Sequence, residues 1–184
     1  MDKKKMKYAT AVKNILMEIV DSEMIKIDKA ADLVANAVSK DGILYTFGTG
    51  HSHIVAEDVA YRAGGLAPVD PILEPSLTGN QHVVKSEFME RIEGIAGVTF
   101  DYYDITKDDV LVVISNSGRN AAPIEMADLA QRKGVPVIAI TSLAHSKGTS
   151  SRHSNRKKLY QVADIVLDNH CPKGDCLIHI DGKH

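Results

Sequence analysis

Val110-Leu-Val-Val-Ile-Ser-Asn-Ser-Gly118, followed by Arg119-Asn120 and a helical pattern, decides the fold. The five aliphatic residues from Val110 to Ile114 are too few for a helix and show no polar alternation. They read as a parallel strand buried on both faces. The run ends in Ser115, Asn116, Ser117 and Gly118, where the strand stops and a helix from about Ala121 to Lys133 starts. Backbone N–H groups, two hydroxyls and the positive end of a helix dipole converge there, which suits an anion. A plainer role fits the same residues, with Ser117 or Asn120 capping the helix.

Two other strand ends repeat the pattern. Ile43-Leu-Tyr-Thr-Phe47 runs into Gly48-Thr-Gly50-His-Ser52-His53 and then into helical spacing at Val55, Ala56, Val59, Ala60 and Ala63. Glycine at Gly48 and Gly50 lets backbone approach a ligand closely. A dinucleotide fingerprint would need a third glycine where His53 stands. Val135-Pro-Val-Ile-Ala-Ile140 ends in Thr141-Ser142. Strands alternating with helices, each ending in Gly, Ser or Thr, predict an open parallel sheet wound on both sides, with the ligand at its C-terminal edge. With the Ile43 strand central and the Val110 strand beside it, the Ser52 and Ser115–Gly118 loops face one crevice. Hydroxyls and amides without a Walker-type Gly-Lys-Ser/Thr favour a small phosphate ester over a nucleoside triphosphate.

The rest of the chain frames this sheet. Val12, Ile15, Leu16, Ile19 and Val20 form one helical stripe, and Ile27, Ala30, Ala31, Val34, Ala37 and Val38 form a second, with Asp21-Ser22 as a break. Roughly forty residues of helix ahead of the first strand carry more apolar surface than one sheet face covers, which predicts contact with another subunit. Leu66–Val69 predicts a strand, residues 70–80 an irregular loop holding Glu74, and Val83–Ile95 a helix with Glu87, Glu90 and Glu93 three apart. Those glutamates fit a solvated face as well as a site. Residues 144–158 form a basic loop that either covers an anionic ligand or is a surface insertion. Asp164–Leu167 predicts the last strand, and no closing helix follows it.

Composition narrows the class. The 184 residues are 44% apolar and 25% charged, with a formal charge of −2, as in one ordinary globular domain. A pI near 6.4 and no helix-turn-helix pattern exclude a nucleic-acid partner. Neither a signal peptide nor a membrane span appears, so a cytoplasmic protein is expected. Cys171 and Cys176 lack zinc-site spacing, so free thiols, no metal and no cofactor are expected.

Gly48-x-Gly50-x-Ser52 followed by Ala56, with Ser115-x-Ser117-Gly118, resembles the paired signatures of the SIS (sugar isomerase) domain superfamily over about residues 1–180. Glu74-Pro-Ser-Leu-Thr-Gly-Asn80, Lys85-Ser-Glu-Phe-Met-Glu90, Arg119-Asn-Ala-Ala-Pro-Ile-Glu-Met126 and Ser151-Arg-His-Ser154 look more specifically like a bacterial subgroup, the UPF0309 proteins, often labelled phosphoheptose isomerases. The resemblance implies a flavodoxin-like three-layer α/β/α sandwich; residues 1–184 are expected to form a single domain, and the family's closing C-terminal helix is the element this sequence does not show. The resemblance further implies a sugar-phosphate ligand and a homodimer or homotetramer.

Carried over by position, the phosphosugar site comprises Gly48, Gly50, Ser52, Ser115, Asn116, Ser117, Gly118, Asn120 and Ser142. The family's acid on the helix after the first loop falls on Arg62 here, leaving Glu57 as the nearest acid. The glutamate of a Ser-Glu-Phe string falls on Glu87. Aldose–ketose isomerisation needs a base for a carbon-bound proton, a donor to the carbonyl oxygen and an acid–base group for ring opening. The order for the base is Glu87, Glu74, Glu57, and for the second group His51, His53, His82. A non-catalytic phosphosugar sensor and an amino-sugar-phosphate etherase are the alternatives.

Overall fold

The computed structural model describes residues 3–80 and 82–178. In chain order its elements are α1 (Lys3–Val38), β1 (Leu44–Gly48), α2 (Ser52–Asp58), β2 (Val69–Ile72), α3 (Pro75–Thr78), α4 (Val83–Met89), α5 (Ile95–Tyr102), β3 (Val110–Ile114), α6 (Ala121–Arg132), β4 (Val137–Thr141), α7 (Leu143–Lys147) and β5 (Ile165–Asp168), with a 3-10 turn over Leu159–Gln161. Every strand pairing is parallel, in the order β2-β1-β3-β4-β5. The chain leaves β1 toward β2 and returns to β1's other side as β3, so the winding reverses there, where open α/β sheets place ligands. Gly48 pairs with Ile114 and Ile114 with Ile140, which brings the ends of β1, β3 and β4 level.

Side-chain alternation builds the three layers. Tyr45, Phe47, Leu111, Val113, Val137 and Ala139 point to one face, against Ala96 and Phe100 of α5 and Ala122, Met126, Ala127 and Ala130 of α6. Val110 and Ile138 point to the other, where Ala30 and Ala37 of α1 meet them. Thr46 shares that second face and donates to Ala56 O of α2 at 2.8 Å. Between α1 and Leu66 an apolar trough of about 640 Å³ stays open over Val112, Ile140 and Leu167. No helix follows β5 among the described residues.

Several expected boundaries moved. The two N-terminal stripes belong to one 36-residue helix, because Ser22 Oγ donates back to Glu18 O at 2.8 Å and so does not cap a new one. At about 54 Å this helix is far longer than a five-residue strand of about 17 Å, so its first half runs past the sheet. The strand expected at Leu66–Val69 begins only at Val69, and the segment expected to be irregular contains α3. The helix expected over Val83–Ile95 stops at Met89, and a separate α5 starts after its N-cap Gly94, whose φ is 92°. The loop from Ala144 begins inside α7.

Asp109 sets the lower ends of β1 and β3. Its carboxylate, 7% exposed, accepts from Ile43 N at 2.8 Å, Thr106 N at 2.7 Å and Thr106 Oγ1 at 3.0 Å. Asp109→Ala should therefore cost about 3 kcal/mol, since hydrogen bonds to a charged group are each worth about 1.5–3 kcal/mol and two N–H groups lose their acceptor. A urea midpoint equal to the parent's would refute that role.

Candidate functional site

The level strand ends present two loops side by side. After β1, Gly48 lies so close to the next turn that an added Cβ would sit 2.5 Å from Ser52 O. Gly50 has φ 52° and donates its N–H to Leu77 O at 2.8 Å. After β3, Gly118 has φ 55°, and an added Cβ would meet Thr141 Oγ1, Ser146 Oγ and Leu159 Cβ at 3.1–3.3 Å. Both loops thus need glycine at their bends. Thr49, Gly50, His51, Ser52, Ser115, Asn116, Ser117 and Asn120 line one cavity of about 250 Å³. A neighbouring cavity of about 280 Å³ shares Gly50 and His51 with it and extends to His53, Thr78 and Ser86.

Not every expected residue faces this space. Gly48 and Gly118 bend the loops from behind. Gly118 N donates to Ser115 Oγ at 3.2 Å, so in this state that N–H is spent within the loop. Ser142 is fully buried; its hydroxyl accepts from His145 N at 3.0 Å and donates to Cys171 O at 2.6 Å, outside the cavity lining. His53 is 4% exposed, with Nδ1 against Gly50 O. Glu74 caps α3, accepting from Ser76 N at 3.1 Å and Ser76 Oγ at 2.8 Å. His82 caps α4 through Lys85 N at 3.3 Å. Glu57 is exposed on α2, and Arg62 pairs with Asp58 at 2.5 Å on the surface. Of the three expected bases only Glu87 lines the cavity, at its exposed lip and 3.5 Å from Arg91.

Glu90, His145 and Asp175 complete the lining, and none of them is among the site residues expected from the sequence. Glu90 ends α4 and turns inward, accepting from Thr49 Oγ1 at 2.5 Å and Asn120 Nδ2 at 2.6 Å. Burial pushes its carboxyl above the ordinary value, against the opposing pull of the Thr49 hydrogen bond and the positive Arg152 and Arg91. Its spacing of three from Glu87 was visible, but spacing does not tell which member of a row turns in where the helix stops. Asp175 hydrogen-bonds the Asn116 amide and accepts from the Cys171 thiol at 3.3 Å. Among the described residues His145 Nδ1 is buried without a hydrogen-bond partner.

Among the described residues Glu93, Glu125 and His153 form a group close enough to share a metal ion, with ligand atoms within 4.8 Å. Hydrogen bonding speaks against that use. His153 Nδ1 accepts from Asn155 N at 3.0 Å, so Nε2 carries the proton toward Glu125 Oε1 at 3.3 Å and no ring lone pair is left over. Glu93 accepts from Ser154 N at 2.6 Å and Ser154 Oγ at 2.7 Å, bonds that hold its carboxyl below the ordinary range. Together these contacts strap the basic loop to α6 and to the turn just before α5.

A family model described as the SIS domain matches residues 7–142. The chain belongs to the SIS-domain family. Within it the chain is 46% identical to a UPF0309 protein of Halalkalibacterium halodurans over 168 residues, covering 91% of this chain and 69% of the relative. It is 50% identical to a UPF0309 protein of Brucella ovis over 158 residues, covering 86% and 64% respectively. In fold it is similar to phosphoheptose isomerase from Neisseria gonorrhoeae, with a TM-score of 0.65 at 22% identity over 91% of this chain and 84% of that one. The phosphoheptose isomerase from Francisella tularensis gives a TM-score of 0.67 at 17% identity over 96% and 89%. The Vibrio vulnificus NanR protein complexed with ManNAc-6P gives 0.60 at 18% over 91% and 51%. These likenesses show the shared three-layer α/β/α sandwich.

Because Glu90's folded-state pKa is raised, its neutral form stabilises the fold. That contribution is present below its ordinary value of 4.5 and is lost as pH rises through the raised value. Glu90→Gln, which mimics the neutral acid, should melt at or above the parent at pH 7 and lose the advantage at pH 4. A lower melting temperature for the variant at pH 7 would show that the ionised carboxylate is the stabilising form.

Proposed function

We propose that the chain binds a sugar phosphate and isomerises it between aldose and ketose through an enediol. One juxtaposition supports this above all: the hydroxyls of Ser52, Ser115 and Ser117 share a cavity of about 250 Å³ with the carboxyl groups of Glu87 and Glu90. Hydroxyl donors and backbone suit the phosphate, and a carboxylate suits proton transfer at carbon. His51 and His145, in the same lining, offer groups for ring opening. The phosphoheptose isomerases of like fold and the ManNAc-6P complex of NanR are in keeping with a phosphosugar ligand. Among the described residues no helix is long and apolar enough to cross a membrane. The unpaired cysteines accord with the reducing cytoplasm as the place of work.

Carbon-bound proton exchange separates this reading from that of a non-catalytic sensor. Incubated in heavy water with a panel of sugar 6- and 7-phosphates, the protein should incorporate deuterium at C2 of one aldose phosphate, followed by mass spectrometry or NMR. Binding with no exchange across the panel would leave the sensor reading in its place. A sugar phosphate should raise the melting temperature where its unphosphorylated parent does not, and Ser117→Ala should shrink that rise. An equal rise with the free sugar would contradict the phosphate site.

The reading includes a homodimer or homotetramer. Leu16, Met17, Val20, Met24 and Ile25 stand exposed on α1, beside the open trough, and apolar patches of this kind mark interaction surfaces. Leu16→Glu should yield smaller species in sedimentation velocity, whereas a parent chain that already sediments as a monomer at micromolar concentration would remove the argument.

A further inference from the structure

The carboxylates of α4 are not equivalent. Glu87 is a solvated group, its side chain 62% exposed beside Arg91. Glu90 is fixed at both oxygens: Thr49 Oγ1 donates to Oε2 at 2.5 Å and Asn120 Nδ2 to Oε1 at 2.6 Å. The amide of Asn120 is itself oriented, because Arg152 Nη1 donates to its Oδ1 at 2.9 Å. A guanidinium has no acceptor, so the amide oxygen must face Arg152 and the NH₂ must face Glu90. The result is a directed chain from Arg152 through Asn120 to Glu90, crossing from the basic loop over the start of α6 to the cavity floor. Loop backbone secures the far end: Arg152 N donates to Arg119 O at 2.8 Å and Leu159 N to Gly118 O at 2.9 Å, beside the Glu93 and Glu125 straps already described.

Resting on the isomerase reading, we infer that Glu90 is the group that moves the carbon-bound proton, and that Arg152 is a positioning residue acting on it through Asn120. The ionised Glu90 takes the proton from C2 of the open-chain aldose phosphate, and that C–H electron pair becomes the C1=C2 bond as the carbonyl π pair moves onto O1. A proton passes from O2 to O1, Glu90 returns its proton to C1, and the ketose leaves with Glu90 again ionised. No other reactant is consumed. Fixing both carboxylate oxygens before substrate arrives limits the reorganisation needed at the moment of transfer.

Several charges face Glu90. Arg91 and Glu87 lie on its own helical segment, Arg152 reaches in from the loop, and His51, His145 and Asp175 line the cavity around it. Burial raises its pKa, and Arg152 is among the groups that restrain the rise. Removing that positive charge therefore moves the acidic limb of the rate profile to higher pH. Arg152 is exposed, so salt screens the effect and the shift should be larger at low ionic strength.

The test measures deuterium incorporation at C2 of whichever sugar phosphate the parent protein exchanges, as a function of pH, together with the melting shift produced by that ligand. Glu90→Gln should lose about 100-fold or more of the exchange, the usual scale for a positioned base, while keeping the ligand's melting shift. Glu87→Gln should lose far less. Arg152→Gln should move the acidic limb upward and Arg152→Lys should restore it in part. If Glu87→Gln abolishes exchange and Glu90→Gln does not, the assignment of Glu90 is overturned and the isomerase reading stands. A uniform loss in Arg152→Gln with an unmoved limb overturns the coupling through Asn120. If the parent protein binds sugar phosphates but exchanges none, or binds none at all, the isomerase reading fails and this inference with it.

Discussion

The parallel pairing of Leu44–Gly48 with Val110–Ile114 is the contact on which the remaining architecture depends. It places Gly48 opposite Ile114, so two strands that are more than sixty residues apart in sequence end at the same height. Each is then followed by a loop that must bend at glycine. The bonds of Asp109 to Ile43 and Thr106 set the strand starts, and the core of Phe47, Val113 and Met126 fixes one face. A slip in this register would carry Ser52 away from Ser115 and Ser117 and turn apolar side chains to the wrong layer.

Polar chemistry around the cavity is arranged by parts distant from it in the chain. Glu90 comes from the end of α4, Asn120 from the cap of α6, Arg152 from the basic loop and Asp175 from the segment after β5. Such a site is rigid only if its supports are. The supports here are bonds such as Ser154 N to Glu93 and His153 Nε2 to Glu125, which hold the loop without adding charge to the cavity.

Most strands were legible in the sequence because buried parallel strands carry continuous aliphatic runs; β3 matches its expected limits, and β1 and β5 differ by one residue at each end, whereas the short edge strand β2 shares only Val69 with its expected range. The glycine-bent loops after β1 and β3 were legible for a related reason, since Gly, Ser and Thr directly after such runs mark strand ends. Helical detail was less so. Asp21-Ser22 resembles a break, yet Ser22 finds its acceptor within the helix, and Gly94 was hidden inside an apparent helix of spaced glutamates. Side-chain direction at a helix end depends on what packs there, so Glu87, Glu90 and Glu93 look alike in sequence. In the structure they become a solvated ion pair, a cavity carboxylate and a loop anchor. The basic loop likewise showed its charge, but not that Arg152 alone reaches the amide of Asn120 while His153 serves the strap.

The central claim is that the loops after β1 and β3 form one phosphate-binding surface. Backbone amide NMR during titration with the sugar phosphate that gives the largest melting shift tests it most directly. Resonances of Thr49–Ser52 and Ser115–Asn120 should move together with a single dissociation constant. Movement confined to one loop, or to the apolar trough between α1 and Leu66, would contradict it.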